Sequence, residues 1–185
     1  KRHYKLSFWE GLMGWLFPKK AWSPALQEFH HLATARQLGL QVPDTVAAVE
    51  FIGPGTRLRS ALAVRELDNM IALHEAIPLA SVRQTPQAFR RWKKSLVSEM
   101  ARMSRILHDR NWFHKDLYLC HFYIDKNDTF RTPNWRDKVV LIDLHRLSSH
   151  TWTSQIWKIK DLAQLIYSSE IEGVDDRDRL EFWRC

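Results

Sequence analysis

Apolar residues recur along this chain at two spacings, and the switches between them mark out its elements. In "SPALQEFHHLATARQLG", residues 23–39, Leu26, Phe29, Leu32, Ala33 and Leu38 follow the 3.6-residue period, which predicts a helix with one apolar stripe and leaves Glu28 facing elsewhere. Ser23 is its N-cap, Pro24 suits the first helical position and Gly39 is the stop. "TVAAVEFI" (45–52) and "ALAVREL" (61–67) then read as strands joined by "GPGTRLRS", whose Gly-Pro-Gly is turn chemistry. The next stretch, "DNMIALHEAIPLASVRQTP" (68–86), reads as irregular, with Asp68 and Asn69 marking a link between two halves.

A clearer pattern follows. Phe89, Trp92, Leu96, Met100, Met103 and Leu107 predict a long amphipathic helix over 87–108. Arg90, Arg91, Lys93, Lys94, Arg102 and Arg105 lie off that stripe, as a solvated face or, second, an anion-binding one. "LCHFYI" (119–124) and "VVLIDL" (139–144) read as short buried strands around a loop containing Asn127, Asp128, Pro133 and Asn134. "TSQIWKIKDLAQLIYSS" (153–169) is again helical, with Ile156, Ile159, Leu162, Ala163 and Ile166 on one side. The predicted order is helix, hairpin, linker, long helix, hairpin, helix, an α+β arrangement.

Composition changes this picture little. With 185 residues, 45% of them hydrophobic and 26% charged, the chain has ordinary globular make-up. No apolar run approaches the ~18 residues that a membrane-spanning helix needs. The start at Lys1, with no apolar segment after "KRHYK", predicts a fragment without a secretory signal. Two cysteines, Cys120 and Cys185, make no disulfide framework, so a reducing, cytoplasmic setting is the expectation.

Charge narrows the class of partner. A net charge of +7 and a pI near 9.6 call for an anionic one: nucleic acid, nucleotide, phospholipid or phosphorylated sugar. Nucleic acid is set aside because no recognisable binding module is present. The segment "KLSFWEGLMGWLFPKKAW" (5–22) carries Trp9, Trp15 and Trp22 beside lysines; these read first as packing residues and second as a surface resting on an anionic membrane face.

The chemistry concentrates in "WFHKDLYLCHFYIDKNDTFRTPNWRDKVVLIDLHRL", residues 112–147. A hairpin brings its ends together, so Asp116 and Asp143 are expected to converge. Two carboxylates at one edge repel unless a cation or a paired neighbour separates them. A divalent metal carrying phosphate, or a carboxylate pair for acid–base work, answers that repulsion; two turn caps are the plainer alternative.

These residues also carry a resemblance. "HKDLYLCHFYI", "VVLIDLHRL" and "KDLAQLIYSS" resemble the lipopolysaccharide core kinases of the Kdo/WaaP family, and more distantly the H-R-D-x-x-x-x-N and D-F-G motifs of protein kinases. The resemblance implies a two-lobed, protein-kinase-like α+β fold. Its N-terminal lobe, residues 1–67, would be incomplete, and its C-terminal catalytic lobe, 68–185, mainly helical with a β-hairpin. It implies an enzyme using ATP and Mg2+ to phosphorylate a heptose or Kdo hydroxyl of the lipopolysaccharide inner core. The lipid-linked acceptor would be met at the cytoplasmic face of the inner membrane, giving the positive charge a peripheral anionic surface to rest on.

Carried over by residue, Asp116 would be the base, Lys115 its electrostatic neighbour and Asp143 the magnesium ligand. His121 stands where protein kinases place a second metal-binding asparagine, which adds it to both the catalytic and the metal set. Imidazole suits magnesium poorly, and orienting phosphate or Asp116 suits this residue better. His145 replaces a glycine and removes backbone freedom there. Asp161 resembles an aspartate that braces the catalytic loop from the helix behind it. Glu28 would pair with a nucleotide lysine, Lys1 or in its place Lys5, and Glu66 and Leu67 would lie in the adenine-binding hinge.

Two other signals carry less. Nine histidines suggest zinc, but His108, His114, His121 and His145 lack the spacings of known zinc motifs. Cys120 beside His121 resembles a nucleophile pair, yet neighbours on a strand point to opposite faces, so a small buried residue is expected.

Overall fold

A hydroxyl residue followed by proline opens both of the helices that organise the chain. In the computed structural model, which describes residues 2–3, 13, 23–53, 57–131 and 134–185, α1 spans Pro24–Gln37. The Ser23 hydroxyl accepts from Leu26 N at 3.2 Å, and the left-handed Gly39 (φ 85°) follows its end. The helix lies against an antiparallel sheet in the order β1–β3–β2, formed by β1 (Arg2–His3), β2 (Thr45–Gly53) and β3 (Arg57–Val64). Ala48 faces Leu62 on the core side, whereas Val49 and Phe51 stay exposed. The second strand starts earlier and ends earlier than its apolar pattern suggests, so Glu66 and Leu67 fall in the link after it. Residues 54–56, most of the turn, lie outside the described residues, as do Lys1, Lys5, Trp9, Trp15 and Trp22.

The segment expected to be irregular is ordered. Strand β4 (Met70–Ala72) leads directly into α2 (Leu73–Arg83). Pro78 lies inside this helix, where Leu73, Ala76, Ile77 and Ala80 recur at helical spacing and are all buried. Their burial outweighs the hydrogen bond that a proline inside a helix forfeits.

Helix α3 (Pro86–His108), capped by Thr85, matches its predicted span and stripe. Trp92 at its centre packs edge-on against Trp135 with ring centroids 5.4 Å apart. Each indole N–H finds a carbonyl, Trp92 to Asp128 at 2.9 Å and Trp135 to Trp92 at 3.1 Å, which fastens the long loop to the helix. Lys93 departs from the solvated face expected of it. It is buried, its ammonium donating to the carbonyl of Gly173 at 2.8 Å and pairing with Asp178, the N3 residue of the last helix. Arg102 likewise pairs with the buried Glu99 and with Asp137.

The stretch that carries both aspartates begins at β5 (Trp112–Phe113) and contains β6 (Phe122–Asp125) and β7 (Val140–Leu141). Phe122 pairs with Leu141 and Tyr123 with Val140, so the predicted hairpin is present. It is not isolated, because β4 pairs with the other edge of β6 to give the order β4–β6–β7. Residues 119–121 form a 3-10 turn instead of strand, and residues 144–146 form another. Cys120 therefore lies in a turn, half-buried.

Strand β8 (Ser148–Ser149) pairs with β5, and α4 (Ser154–Ser168) and α5 (Asp176–Arg184) complete the chain. Helix α4 turns a different face inward from the one expected. Asp161, Leu162 and Leu165 are buried, whereas Ile156, Ile159 and Ile166 are exposed. The polar residues on its inner side have partners in the 114–119 loop that hydrophobicity alone does not reveal. No helix of the described residues is long and apolar enough to cross a membrane.

Candidate active site

The loop between β5 and β6 is held from behind by one face of α4. Asp161, fully buried, accepts from the backbone N–H of His114 at 2.9 Å, from that of Lys115 at 2.7 Å and from the His108 ring at 3.1 Å. One turn on, Gln164 accepts from Leu117 N at 3.1 Å and donates to the Lys115 carbonyl at 3.0 Å. A further turn on, the Ser168 hydroxyl accepts from Leu119 N at 3.0 Å. Positions 161, 164 and 168 share a helix face, so a rigid rod fixes the loop backbone at successive points. That constraint stabilises Lys115 at a left-handed φ of 67°, unfavourable for a lysine.

Asp116 follows immediately, and its carboxylate accepts from Arg146 Nη1 at 2.8 Å. Asp143 is also left-handed, at φ 62°, and opens the second 3-10 turn. His145 Nδ1 donates to its Oδ1 at 2.8 Å, and the Nε2 of His121 lies 3.7 Å from its Oδ2. His121 Nδ1 donates to the backbone carbonyl of Asp116 at 2.7 Å. One imidazole thus joins the backbone of one aspartate to the side chain of the other. Nδ1 must carry a proton to donate to a carbonyl, and the Nε2 edge attracts the Asp143 carboxylate when it carries the ring's second proton.

Beneath this pair lies His114, fully buried and stacked on His121 with centroids 5.6 Å apart. Its Nε2 donates to the Ile142 carbonyl at 3.0 Å, tying the loop to the residue before Asp143. Burial pushes its pKa down to about 4. Its Nδ1 has no hydrogen-bond partner among the described residues, so a second ring proton would be a buried donor with no acceptor. The sequence reading considered His114 only as a zinc candidate, and its part in joining the two segments was missed.

Helix α1 reaches the same place. His31 Nδ1 donates to the Leu144 carbonyl at 2.8 Å, and partial burial lowers the ring's pKa although Glu28 opposes that shift. Glu28, expected to face away from the apolar stripe, is buried within it: Ala25, Glu28, Leu32 and Ala35 form the inward face. Inward orientation is what a carboxylate directed at an interior cation requires; Lys1, its expected partner, lies outside the described residues. Glu66 is exposed and Leu67 half-buried in the connection between the two three-stranded sheets.

Among the described residues no group of three or more His, Cys, Asp or Glu side chains could hold a metal ion. The nine histidines therefore gather no zinc cage there. Magnesium asks for less, one or two carboxylates with the rest of its shell from water and phosphate, and the Asp143 carboxylate suits it. The Cys120 thiol is pushed up by partial burial, contrary to what an activated nucleophile needs. Three residues that sequence reasoning left without a role stand at the rim: Arg146, Trp157 and Lys160. Lys115 Nζ lies 4.2 Å from the Trp157 ring centroid and Lys160 Nζ lies 4.5 Å from it. A separate, half-open apolar cleft with a cavity volume of about 70 Å³ lies between α3, α4 and α5, lined by Leu96, Met100, Leu119, Leu165, Val174 and Phe182 among others.

Comparison with known proteins fits this geometry. The chain is 31% identical over 160 residues to lipopolysaccharide core heptose(I) kinase WaaP of Pseudomonas aeruginosa, covering 86% of this chain and 58% of that protein. It is 35% identical over 94 residues to the Escherichia coli K12 protein of the same name, covering 51% of this chain and 34% of that one. The chain thus spans well under two thirds of these relatives. Among solved structures, that of WaaP in complex with acyl carrier protein superposes with a TM-score of 0.71 at 29% identity, over 86% of this chain and 64% of that one. The fold is the α+β, protein-kinase-like one. With its profile matching residues 15–185, the chain belongs to the lipopolysaccharide kinase (Kdo/WaaP) family.

Proposed function

We propose that this chain forms the catalytic part of an ATP-dependent kinase that phosphorylates a sugar hydroxyl, of heptose or Kdo, in the lipopolysaccharide inner core. Family membership supports the reaction class, and the names of the two heptose kinases favour heptose. The single observation that carries the residue assignment is the His121 bridge between the Asp116 backbone and the Asp143 carboxylate. In this reading Asp116 accepts the proton of the acceptor hydroxyl, Lys115 supplies positive potential beside it, and Asp143 binds Mg2+. Bound magnesium would neutralise charge on the nucleotide phosphates. His121, donating to the Asp116 backbone and facing the Asp143 carboxylate, holds the two aspartates in register. Glu28 with Lys1 and the Glu66–Leu67 backbone would serve the nucleotide, with the boundary between lobes at residues 67 and 68.

The partners follow from the acceptor. A lipid-linked core sugar would be met at the cytoplasmic face of the inner membrane. The outer face of α4 suits a peripheral position, since the fully exposed Trp152 lies near exposed Ile156 and Ile159, and Lys158 and Lys160 intersperse them. Acyl carrier protein is a second partner to propose. It is named in the complex of the structural neighbour, and the cleft between α3, α4 and α5 has the apolar lining that an acyl chain needs.

Magnesium-dependent ATP turnover with core oligosaccharide acceptors tests the central reading in the full-length protein. Asp116→Ala is expected to lower kcat by roughly 10²- to 10⁴-fold with the KM for ATP unchanged. Unchanged turnover in that variant would remove Asp116 as the base. Phosphorylation of a soluble alcohol or a protein in place of the core would point to a different kinase of the same fold, and nucleotide binding without transfer would point to a binding protein.

A further inference from the structure

Lys115, Arg146 and Lys160 converge on the rim beside Asp116. Lys115 and Lys160 share the Trp157 indole, at 4.2 and 4.5 Å from its centroid. Arg146 is joined to Asp116 at 2.8 Å and is half-exposed. The positive charge here exceeds the negative. Asp161, the other nearby carboxylate, is buried and takes up its oxygens on two backbone N–H groups and the His108 ring. His150 stacks on Trp157 at 4.9 Å, and desolvation and then Lys115 hold its pKa below the ordinary value.

We infer that Lys115, Arg146 and Lys160 form a subsite for an anionic group, a carboxylate or a phosphate, carried by the acceptor next to the hydroxyl that Asp116 serves. The inference rests on the kinase reading above and deepens it.

The plainer explanation is packing of lysine stems on an indole and a surface ion pair. A surface pair contributes only about 0–1 kcal/mol, and an indole offsets repulsion between two ammonium groups incompletely. Lys115 registers that repulsion: partial burial and then Arg146 lower its pKa, Asp161 opposes them, and Lys160 adds to the lowering. An anion would relieve this, and the preparation for one is structural. The Lys115 backbone is locked by Asp161 and Gln164, so its ammonium starts from a fixed point. Arg146 uses one N–H on Asp116, and the rest of its fork matches the geometry of a carboxylate or a phosphate. An anion docked there draws the guanidinium off Asp116 Oδ1, freeing that oxygen for the acceptor hydroxyl.

The test compares three core oligosaccharides with the full-length protein: one bearing the Kdo carboxylate, one with that carboxylate reduced to an alcohol, and one bearing a phosphate ester instead. Lys160→Gln, which touches neither aspartate, is expected to raise the KM for the anionic acceptor about tenfold more than that for the reduced one, with the KM for ATP unchanged. Arg146→Gln is expected to shift the same ratio in the same direction, and whichever anion's removal abolishes the effect is the source. Equal KM changes on charged and reduced acceptors, or a change in kcat alone, would overturn the subsite. Calorimetric titration of free Kdo and of inorganic phosphate into Asp116→Asn protein without nucleotide separates this inference from the kinase reading. Binding weakened about tenfold by Lys160→Gln supports the subsite even if no core sugar is phosphorylated. With transfer intact, the absence of binding by both probes overturns it and leaves the kinase reading standing.

Discussion

The two aspartates at the centre of the site are held in opposite ways. Asp116 sits on a loop whose backbone is fixed by polar side chains of α4, above all the fully buried Asp161. Asp143 sits on a left-handed turn, its carboxylate between two imidazoles that are partly open to solvent. The first arrangement buries charge and depends on every partner; the second leaves its carboxylate free to exchange an imidazole contact for a cation. The contrast suits the proposed roles, since a base must be placed to within a fraction of an ångström, whereas a magnesium ligand needs room for water and phosphate around it.

The largest test of this contrast removes the buried brace. Asp161→Ala leaves the N–H groups of His114 and Lys115 without their fully buried acceptor, and releases the strained Lys115 conformation. The expected loss is about 3–5 kcal/mol of stability, measured by urea denaturation, with Asp161→Asn falling between it and the parent. A loss below about 1 kcal/mol, the range of a surface contact, would mean the loop is held by something other than α4.

A second test acts through pH. His114 is neutral in the folded protein, with a pKa of about 4 against 6.5 when exposed. Between those values the unfolded chain binds a proton that the folded one refuses, so stability falls as pH drops through that window and is level above it. The loss on going from pH 7 to pH 4 should reach about 3 kcal/mol for this group, and the lowered pKa of His31 adds in the same direction. His114→Gln, which can retain a donor toward the Ile142 carbonyl, should flatten the profile; an unchanged slope would assign the acid sensitivity elsewhere.

How far the sequence showed all this depends on whether burial followed hydrophobicity. Helix α1 was legible through its cap, proline and stop, although its inward face was misplaced, and α3 through its apolar stripe. The hairpin from 122 to 141 was legible because its two apolar runs flank turn residues. Helix α2, with Pro78 inside it, was missed, although Leu73, Ala76, Ile77 and Ala80 have helical spacing. Helix α4 misled more deeply. Its isoleucines suggested the inward face, while the loop-facing side carries Asp161, Gln164 and Ser168, whose partners lie more than 40 residues away. Glu28 and Lys93 failed for the same reason, since a charged residue looks solvated until the structure supplies its interior environment. The two aspartates stood out through the motif around them, but Arg146, Trp157 and Lys160 did not, because their meeting is a product of the fold.

The smallest expected effect has the opposite sign and sharpens the contrast most. Asp143→Gly deletes the proposed magnesium ligand while relieving a left-handed φ of 62° that glycine adopts without strain. His145 loses its carboxylate partner, but as a partly exposed ring it can turn to water, so little is forfeited there. Glycine's greater freedom in the unfolded chain subtracts about 0.5–1 kcal/mol, against roughly 1–2 kcal/mol of relieved strain. Stability should therefore stay level or rise by up to about 1 kcal/mol in a denaturation curve, while magnesium-dependent transfer is lost. A destabilisation as large as that of Asp161→Ala would show that Asp143 is a structural keystone and that the two aspartates are held alike. A level or raised midpoint with lost transfer identifies a residue kept in an uncomfortable conformation for its chemistry, at a point where the fold itself would accept glycine.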